Sequence, residues 1–317
     1  MRRFVAAALA AVLGASAAQA AWPERPVQVL VPFAAGGITD VIARVVAERL
    51  QTSFKQPFVV DNEPGAAGII AAQRLARATP DGYTLMSAPV FQITIAPFTH
   101  KVDFDPMKDF TPITILATSP FVIAVRADLP VNTLSEFIAY VKAKPGKLNY
   151  GSAGPGSFTQ IVAVMFLKSA GLDMVHVPYK GIAPAFTDLL AGHIDMMAAT
   201  PVETKGYVGS DKVKFLAVTG AQRSPQLPGV PTVSETLPSP ATETTHGILA
   251  PAKTPPDIVN AIAGEIAAAE KSAEFRERLQ RVGVEPALKT SAEFADIIAT
   301  DTSRWRDVVH DLGLKVQ

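Results

Sequence analysis

The sequence predicts an α/β fold with largely parallel sheets. Short apolar runs alternate with segments in which apolar residues recur at three- and four-residue spacing, as they do over 39–50. One arrangement also appears twice, because 27–50 and 148–171 each read as an apolar strand, a glycine-rich turn and an amphipathic helix. A strand that leads through a short turn into a helix is the repeating unit of parallel sheets. We therefore expect sheets covered by helices.

The apolar runs and the helical spacing locate the individual elements. Strands are predicted at 27–31, 58–61, 84–87, 113–116, 121–125, 148–150, 174–177, 196–199, 214–219 and 246–250. Helices are predicted to begin near Thr39, Ala66, Leu134, Ser157, Pro184, Pro256, Ala273 and Ser291. The alternation extends over most of the chain, so we expect more than one α/β unit.

The first twenty residues have the pattern of a secretory signal peptide. Arg2 and Arg3 precede an almost unbroken apolar stretch at 4–17, and Ala18-Gln19-Ala20 has the small-x-small form of a cleavage site. A transmembrane anchor is the alternative, but the stretch is shorter than the roughly 20 apolar residues that a span needs. We expect a mature chain that begins near Ala21 and is exported, as a soluble protein, to the periplasm.

Composition excludes several classes of function. The chain has no cysteine, so thiolate catalysis, cysteine-ligated zinc and a disulfide scaffold are excluded. It carries 29 basic and 29 acidic residues, and loss of Arg2 and Arg3 leaves a formal charge of −2. Without a basic run, nucleic acid is not an expected partner. A mature length of about 295 residues favours two domains.

Two stretches have the character of crossings between two lobes. One lies near 118–125, and the other is the proline-rich stretch 224–240, because proline restricts the chain and stops helices. We therefore predict a first lobe at 21–122, a second lobe at 123–240 and a return of the chain to the first lobe at 241–317.

The turn at 32–40, here the first loop, is a candidate anion site. Gly36 and Gly37 let a ligand approach the backbone, and the free N–H groups of a helix N-terminus attract anions. Thr39 is predicted as the N-cap. Asp40 either receives a ligand amino group or stabilises the helix start by about 0.3–1 kcal/mol. The alternative is an ordinary strand-to-helix turn.

The turn at 151–157, here the second loop, resembles a phosphate-binding loop without its chemistry. Ser157 and Gln160 have the spacing of a capping box, which marks a helix start. No lysine follows the glycines, so nucleotide binding is not expected. The loop is predicted to hold an anion through its amides and the hydroxyls of Ser152 and Ser157. The alternative is a capped turn alone.

A third segment, 177–186, offers another helix start. Pro184 suits the first position of a helix, and Gly192 suits its end. His193 and Asp195 lack further nearby ligands, so no metal is predicted, and Asp195 is expected to fix a loop. The five histidines are scattered without a catalytic motif. An exported hydrolase that uses a serine of the second loop would need a histidine beside it.

These residues, in this order, resemble the tripartite tricarboxylate transporter substrate-binding proteins, the Bug/TctC-like family. The resemblance rests on seven motifs across the mature chain: VPFAAGGITD at 31–40, VVDNEPGAAG at 59–68, PDGYTL at 80–85, YGSAGPGS at 150–157, VPYKGIAPAFTDLLAGHID at 177–195, FLAVTGAQRSPQLPGVPTVSE at 215–235 and GILAPAKTP at 247–255. Glu63, Ala67 and Gln160 depart from the pattern of the family, where Arg, Gly and His are usual.

The resemblance implies a type II periplasmic binding fold, with two lobes, a hinge and a ligand cleft. It also implies a receptor that binds a small carboxylate without a cofactor and delivers it to membrane transporter subunits. Family ligands are di- and tricarboxylates, acidic amino acids and aromatic acids. A receptor for a signalling system is the alternative, and a monomer is expected.

Carried over by position, the resemblance places ligand contacts in three segments. They are Phe33, Ala34, Ala35, Gly36, Gly37, Thr39 and Asp40 in the first loop, Ser152, Ala153, Gly156 and Ser157 in the second loop, and Gly181, Ala183 and Pro184 in the third segment. We further expect the far end of the ligand to meet Phe91, Gln92 and Thr200.

Overall fold

The computed structural model describes residues 22–239, 241–311 and 313, and the predicted signal peptide lies outside them. The described strands form two sheets. The first sheet contains β1 (Val27–Val31), β2 (Phe58–Asn62), β3 (Thr84–Pro89), β4 (Phe110–Pro120), β10 (Glu243–Pro251) and β11 (Glu285–Lys289). The second sheet contains β5 (Val122–Arg126), β6 (Asn149–Ser152), β7 (Val175–Pro178), β8 (Met196–Ala199) and β9 (Val213–Val218).

Ten α-helices lie in the described residues, and most of them cover these sheets. They are α1 (Ile38–Phe54), α2 (Ile69–Arg77), α3 (Val90–Thr99), α4 (Leu134–Lys142), α5 (Phe158–Ala170), α6 (Ile182–Leu190), α7 (Pro201–Thr204), α8 (Pro256–Glu270), α9 (Ala273–Arg281) and α10 (Ser291–Asp311). Among the described helices, none is both long enough and apolar enough to cross a membrane.

The two sheets share one strand order. In the first sheet the order is β2-β1-β3-β10-β4, with β11 added at the edge, and in the second it is β7-β6-β8-β5-β9. β1 and β6 therefore hold equivalent positions, and each leads into a helix through a glycine-rich loop. The arrangement that appears twice in the sequence is thus a structural duplication.

The prediction of largely parallel sheets is wrong, because both sheets are mixed. β10 runs antiparallel to β3 and β4, and β5 runs antiparallel to β8 and β9. A parallel neighbour needs a crossover connection, usually a helix. β5 and β10 instead enter directly from the other half of the molecule, so they are free to run in the opposite direction.

The chain passes between the sheets at two adjacent points. Phe121 separates the last residue of β4 from the first residue of β5. The return passes through Thr219 and Thr242, and the Thr219 N–H donates to Phe121 O at 2.8 Å while the Thr242 N–H donates to Thr219 O at 2.9 Å. The two crossings therefore run side by side. The predicted boundaries of the lobes stay a prediction.

Two helices pack against both halves. Phe294 and Ile298 of α10 belong to the core of the first sheet, whereas Trp305 and Val309 belong to the core of the second. In α3, most of the buried apolar residues face the first sheet, but Ile95 lies in the core of the second. These helices hold the two halves against each other.

The sequence patterns do not indicate α3, the four-residue helix α7 or β11. Apolar residues and threonines occupy eight of the ten positions of α3, on all sides of the helix, and Pro97 also lies inside it. The sequence therefore shows no single apolar face with helical spacing. Each residue of β11 is half-buried, so the strand lacks the alternation that marks a sheet face. Tertiary packing determines α3 and β11.

Candidate functional site

Loops and helix starts of the two halves meet between the sheets. α1 follows β1, α3 follows β3, α5 follows β6 and α6 follows β7. The rings of Phe91 in α3 and Phe158 in α5 stack with centroids 3.8 Å apart and planes 7° apart. A Cβ placed on Gly156 would lie 3.9 Å from Cβ of Thr99. The starts of α3 and α5 therefore meet between the sheets, and the last residue of α3 lies beside the second loop.

Asp40 holds the first loop in place through hydrogen bonds. Its Oδ2 accepts the Gly36 N–H at 2.9 Å, and Arg44 Nε donates to the same oxygen at 3.0 Å. Asn62 Nδ2 donates to Asp40 Oδ1 and to Phe33 O, both at 3.0 Å. Burial opposes the charge, but these bonds outweigh it and hold the pKa of Asp40 below its ordinary value. The side chain thus braces the loop through a Gly36 amide.

The start of α1 lacks a side-chain cap. The predicted N-cap Thr39 is wrong, since Gly37 is the N-cap and α1 begins at Ile38. Glycine has no side chain to accept an N–H, so the helix start stays open. The N–H groups of Ala34, Ala35 and Gly37 also donate to no other group among the described residues. These residues are exposed, so their amides can meet a ligand.

Gln92 lies beside the first loop with an unused amide. It is 5% exposed, and neither Oε1 nor Nε2 finds a partner among the described residues. The amide packs on Gly68, whose φ is +88°, and a Cβ there would lie 1.9 Å from Gln92 Nε2 and 2.8 Å from Pro32 Cβ. Phe91 has one face covered by Phe158, and it is partly exposed. Their ligand contacts stay predictions.

Backbone amides of the second loop donate to side chains within the loop or just after it, so the expectation of open donors is corrected. Three donors and their acceptors are Ala153 N to Thr159 Oγ1 at 2.9 Å, Gly154 N to Ser152 Oγ at 3.1 Å, and Gly156 N to Gln160 Oε1 at 2.6 Å. Ser157 N donates to Gly154 O at 3.2 Å. The side chains of Thr159 and Gln160, which follow the loop, fold back over it and accept hydrogen bonds from its amides.

The capping box at Ser157 is half formed. The Gln160 N–H donates to Ser157 Oγ at 3.4 Å, as predicted. The returning bond of the Gln160 side chain goes to Gly156 and not to Ser157. Ser157 is partly exposed, and its hydroxyl also lies 3.1 Å from Thr159 Oγ1.

A histidine that no motif indicates lies against Ser152. His176 Nε2 is 2.7 Å from Ser152 Oγ, the proximity that a serine hydrolase would need. Ser152 is fully buried, however, and its hydroxyl also bonds to Gly154 O at 3.1 Å. A nucleophile must reach a substrate. The predicted ligand contact of Ser152 stays a prediction.

The third segment offers a second open helix start. Gly181 is the N-cap, with φ of +125° and no side-chain cap, and α6 begins at Ile182. Pro184 is therefore the third helical residue, which corrects its predicted first position. Ala183 and Pro184 are exposed, and Thr200 is partly buried between β8 and α7.

Asp195 fixes the base of the second sheet. It accepts from Arg126 Nε and from the Asn149 N–H, each at 2.8 Å, which is the structural role predicted for it. Gly192 has φ of +79° and ends α6 in the predicted way. In the part of the chain that the structure describes, no group of three acidic or histidine side chains is arranged to hold a metal.

Two sheets of equal strand order, two adjacent crossings and facing helix N-termini define a type II periplasmic binding fold. The chain belongs to the tripartite tricarboxylate transporter family receptors, whose family model matches residues 42–314. The match excludes the first loop and includes the other two segments.

Similar proteins extend over nearly the whole chain. A UPF0065 protein in the gbd 5′ region of Cupriavidus necator is 37% identical over 321 residues, which is 99% of this chain and 96% of that protein. A structure from R. palustris with adipate has a TM-score of 0.81 and 32% identity, and covers 93% of this chain and 100% of its own. MatC from Rhodopseudomonas palustris with bound malate has a TM-score of 0.76 and 33% identity, over 91% and 100%.

Proposed function

We propose that this protein is a periplasmic receptor that captures a small carboxylate between its two lobes and delivers it to membrane subunits of a tripartite transporter. Family membership supports the receptor role. Similar proteins solved with adipate and with malate support the carboxylate class. The ligand belongs to the di- and tricarboxylates, acidic amino acids or aromatic acids.

The open amides of the first loop are the observation that carries this proposal. Ala34, Ala35 and Gly37 present unused N–H groups at an uncapped helix start. Each charge-assisted hydrogen bond contributes roughly 1.5–3 kcal/mol, and the helix terminus adds about 0.3–2 kcal/mol. Micromolar binding requires about −8 kcal/mol. Three such bonds approach this value, so an arginine is not required.

The two halves have unequal roles in this mechanism. A carboxylate docks on the first loop while the lobes are apart. Closure then brings the hydroxyl of Ser157 and the open start of α6 near Gly181 to the ligand, and excludes water from the charge. The buried amide of Gln92 receives a polar group at the far end of the ligand, with Phe91 and Thr200 as neighbours.

Export and partners follow from the same proposal. Residues 1–20 direct the chain to the periplasm, and N-terminal sequencing of the periplasmic form is expected to begin near Ala21. The receptor acts as a monomer, which analytical ultracentrifugation tests. A signalling receptor is the competing role. Loss of ligand uptake in a deletion strain supports transport, whereas intact uptake with a lost transcriptional response supports signalling.

The test measures binding with a variant pair at Gly37. Thermal shift and calorimetry use succinate, adipate, malate, glutamate, citrate and benzoate, with adipamide as the neutral control. Gly37 has φ of −78°, and a Cβ there meets only Ala34 O at 3.8 Å, so a side chain fits. Gly37→Asp and Gly37→Asn both cap the helix, but only the first adds a negative charge.

We expect at least one carboxylate to raise the melting temperature, and adipamide to have no effect. Gly37→Asp should weaken binding by about 100-fold or more, because a fixed carboxylate takes the place of the ligand, and Gly37→Asn should weaken it less. The proposal fails if no carboxylate stabilises the protein. Equal affinity of the wild type and Gly37→Asp would move the site away from the first loop.

A further inference from the structure

The second loop is held by a continuous chain of hydrogen bonds that passes through His176 in β7. The chain begins at the Gly156 N–H, continues through Gln160, His176 and Ser152, and ends at Gly154 O. Its two ends lie two residues apart in the loop. Any change inside the chain therefore acts on the loop that faces the first half of the molecule.

The backbone of Gly156 determines the orientation of the Gln160 amide. The Gly156 N–H can only donate, so the Gln160 atom at 2.6 Å from it must be the acceptor Oε1. The amide nitrogen Nε2 then faces His176 Nδ1 at 3.2 Å. Because an amide nitrogen can only donate, His176 Nδ1 must be an acceptor and carries no proton.

The ring of His176 is consequently in its Nε2–H form. That N–H donates to Ser152 Oγ at 2.7 Å, and the hydroxyl proton of Ser152 passes to Gly154 O at 3.1 Å. Burial lowers the pKa of His176 and favours the neutral ring. With Nε2 protonated, His176 cannot accept the proton of Ser152, so this pair lacks the base of a hydrolase.

We propose that His176 is a positioning residue for ligand binding. In its Nε2–H form it holds the second loop in the conformation that meets the ligand on closure. The inference rests on the proposed function, because the loop is taken to meet the ligand on closure. It names a residue that makes no ligand contact itself. Its effect on affinity comes from keeping Ser157 and the start of α5 in place.

Protonation of His176 would break the chain at a defined point. A proton on Nδ1 would face the N–H of Gln160, so the amide would have to turn and its Oε1 would leave the Gly156 N–H. From β6, the titratable group against the ring is Tyr150, stacked with centroids 5.0 Å apart, and burial raises its pKa. From α5 the contact is Gln160, which does not titrate, so among the described residues no bonded acid stabilises the charged ring.

The experiment compares variants of His176 by calorimetry with adipate and malate at pH 7.5 and pH 5.5. His176→Leu removes both bonds, whereas His176→Gln restores a donor for Ser152 and cannot be charged. His193→Gln is the matched control, because His193 lies in the same half with a 68% exposed side chain bonded to Asp188. Long-range ¹⁵N–¹H NMR of the wild type reads the tautomer without any ligand.

We expect His176→Leu to bind about tenfold more weakly, as loss of two hydrogen bonds implies, and His176→Gln to bind within about threefold of the wild type. Affinity of the wild type and of the His193→Gln control should fall with decreasing pH more than affinity of His176→Gln, because both retain the His176 ring. The lowered pKa of that ring places the loss at the acidic end of the range.

Two results would overturn the inference. One is an Nδ1–H tautomer in the wild type, and the other is an equal loss of affinity in both His176 variants, which would assign the effect to ring packing on Tyr150. If the wild type binds neither adipate nor malate, the variants are compared with the carboxylate that stabilises the protein most in the thermal-shift panel. If no carboxylate of that panel binds, the proposed function fails, while the tautomer measurement still tests the hydrogen-bond chain. If His176→Leu does not fold, His176→Gln and the tautomer decide.

Discussion

Residues with the same chemistry have different roles in this molecule because their surroundings differ. Asp40 keeps its charge, since Arg44 and two further donors bond to it. Within the described residues, no donor bonds to Asp301 in α10. Burial raises the pKa of Asp301 to about 6, and the charge of Arg304 offsets this only in part. At neutral pH the charged carboxylate of Asp301 therefore destabilises the folded state.

Replacement of Asp301 by asparagine should stabilise the protein at pH 7.5. With its pKa raised, the folded state binds more protons than the unfolded state between about pH 4 and 6, so the contribution of this group to stability falls as pH rises through that range. We expect Asp301→Asn to increase the free energy of unfolding by about 1–2 kcal/mol at pH 7.5, and to change it little at pH 4.

Urea denaturation at both pH values measures this difference. Asp307→Asn is the control, because the Asp307 side chain is 67% exposed and should respond weakly at either pH. A gain of the same size at pH 4 and pH 7.5 would contradict the electrostatic explanation.

Among the elements, α10 contributes buried side chains to the cores of both halves. Its first half packs on the first sheet, and its second half places Trp305, 2% exposed, in the core of the second sheet. The Trp305 ring meets Phe158 edge-on with centroids 5.3 Å apart. Phe158 is the first residue of α5. A C-terminal helix thus supports the helix that follows the second loop.

Trp305→Ala should therefore lower the stability of the whole protein. Loss of a buried tryptophan costs about 3–5 kcal/mol, which chemical denaturation with fluorescence or circular dichroism detects. The neighbouring Arg306→Ala changes a side chain that is 60% exposed, and should stay within about 0.5 kcal/mol of the wild type. Similar losses in the two variants would show that α10 does not hold the halves together through its buried face.

At the scale of the whole molecule, two features besides the packing of α10 join the halves. The crossings at Phe121 and Thr219 run side by side, which gives the halves a short common connection. Across the space between the sheets, Phe91 stacks on Phe158. The stack joins a helix of the first half to a helix of the second, so it favours approach of the halves.

Phe91→Ala should shift the unliganded protein towards a more open arrangement. An aromatic pair contributes about 0.5–1.5 kcal/mol beyond its buried area, which is enough to change the populations severalfold. Small-angle scattering without ligand should give a larger radius of gyration for this variant. Phe104→Leu is the control, because it removes a ring contact with Phe110 inside the first half only. Unchanged scattering for Phe91→Ala would contradict this role.

Much of the architecture was predictable from local patterns. Apolar runs located ten of the strands to within a few residues, and glycine-rich turns marked the two duplicated loops. Such features depend on residues close together in the chain, so spacing and composition reveal them. The antiparallel entry of β5 and β10 was not predictable, because it depends on where the chain crosses between the sheets.

The sequence by itself determined the family, the α/β class and the positions of the two glycine-rich loops. Only the tertiary structure decided which amides remain open. In the first loop Gly36 donates to Asp40, but the N–H groups of Ala34, Ala35 and Gly37 have no partner among the described residues. The second loop instead uses its donors on Gln160, Thr159 and Ser152. His176, which completes that arrangement, lies 24 residues from Ser152. Hydrogen bonds between residues so distant form only when β7 packs beside β6, and no local pattern contains that information.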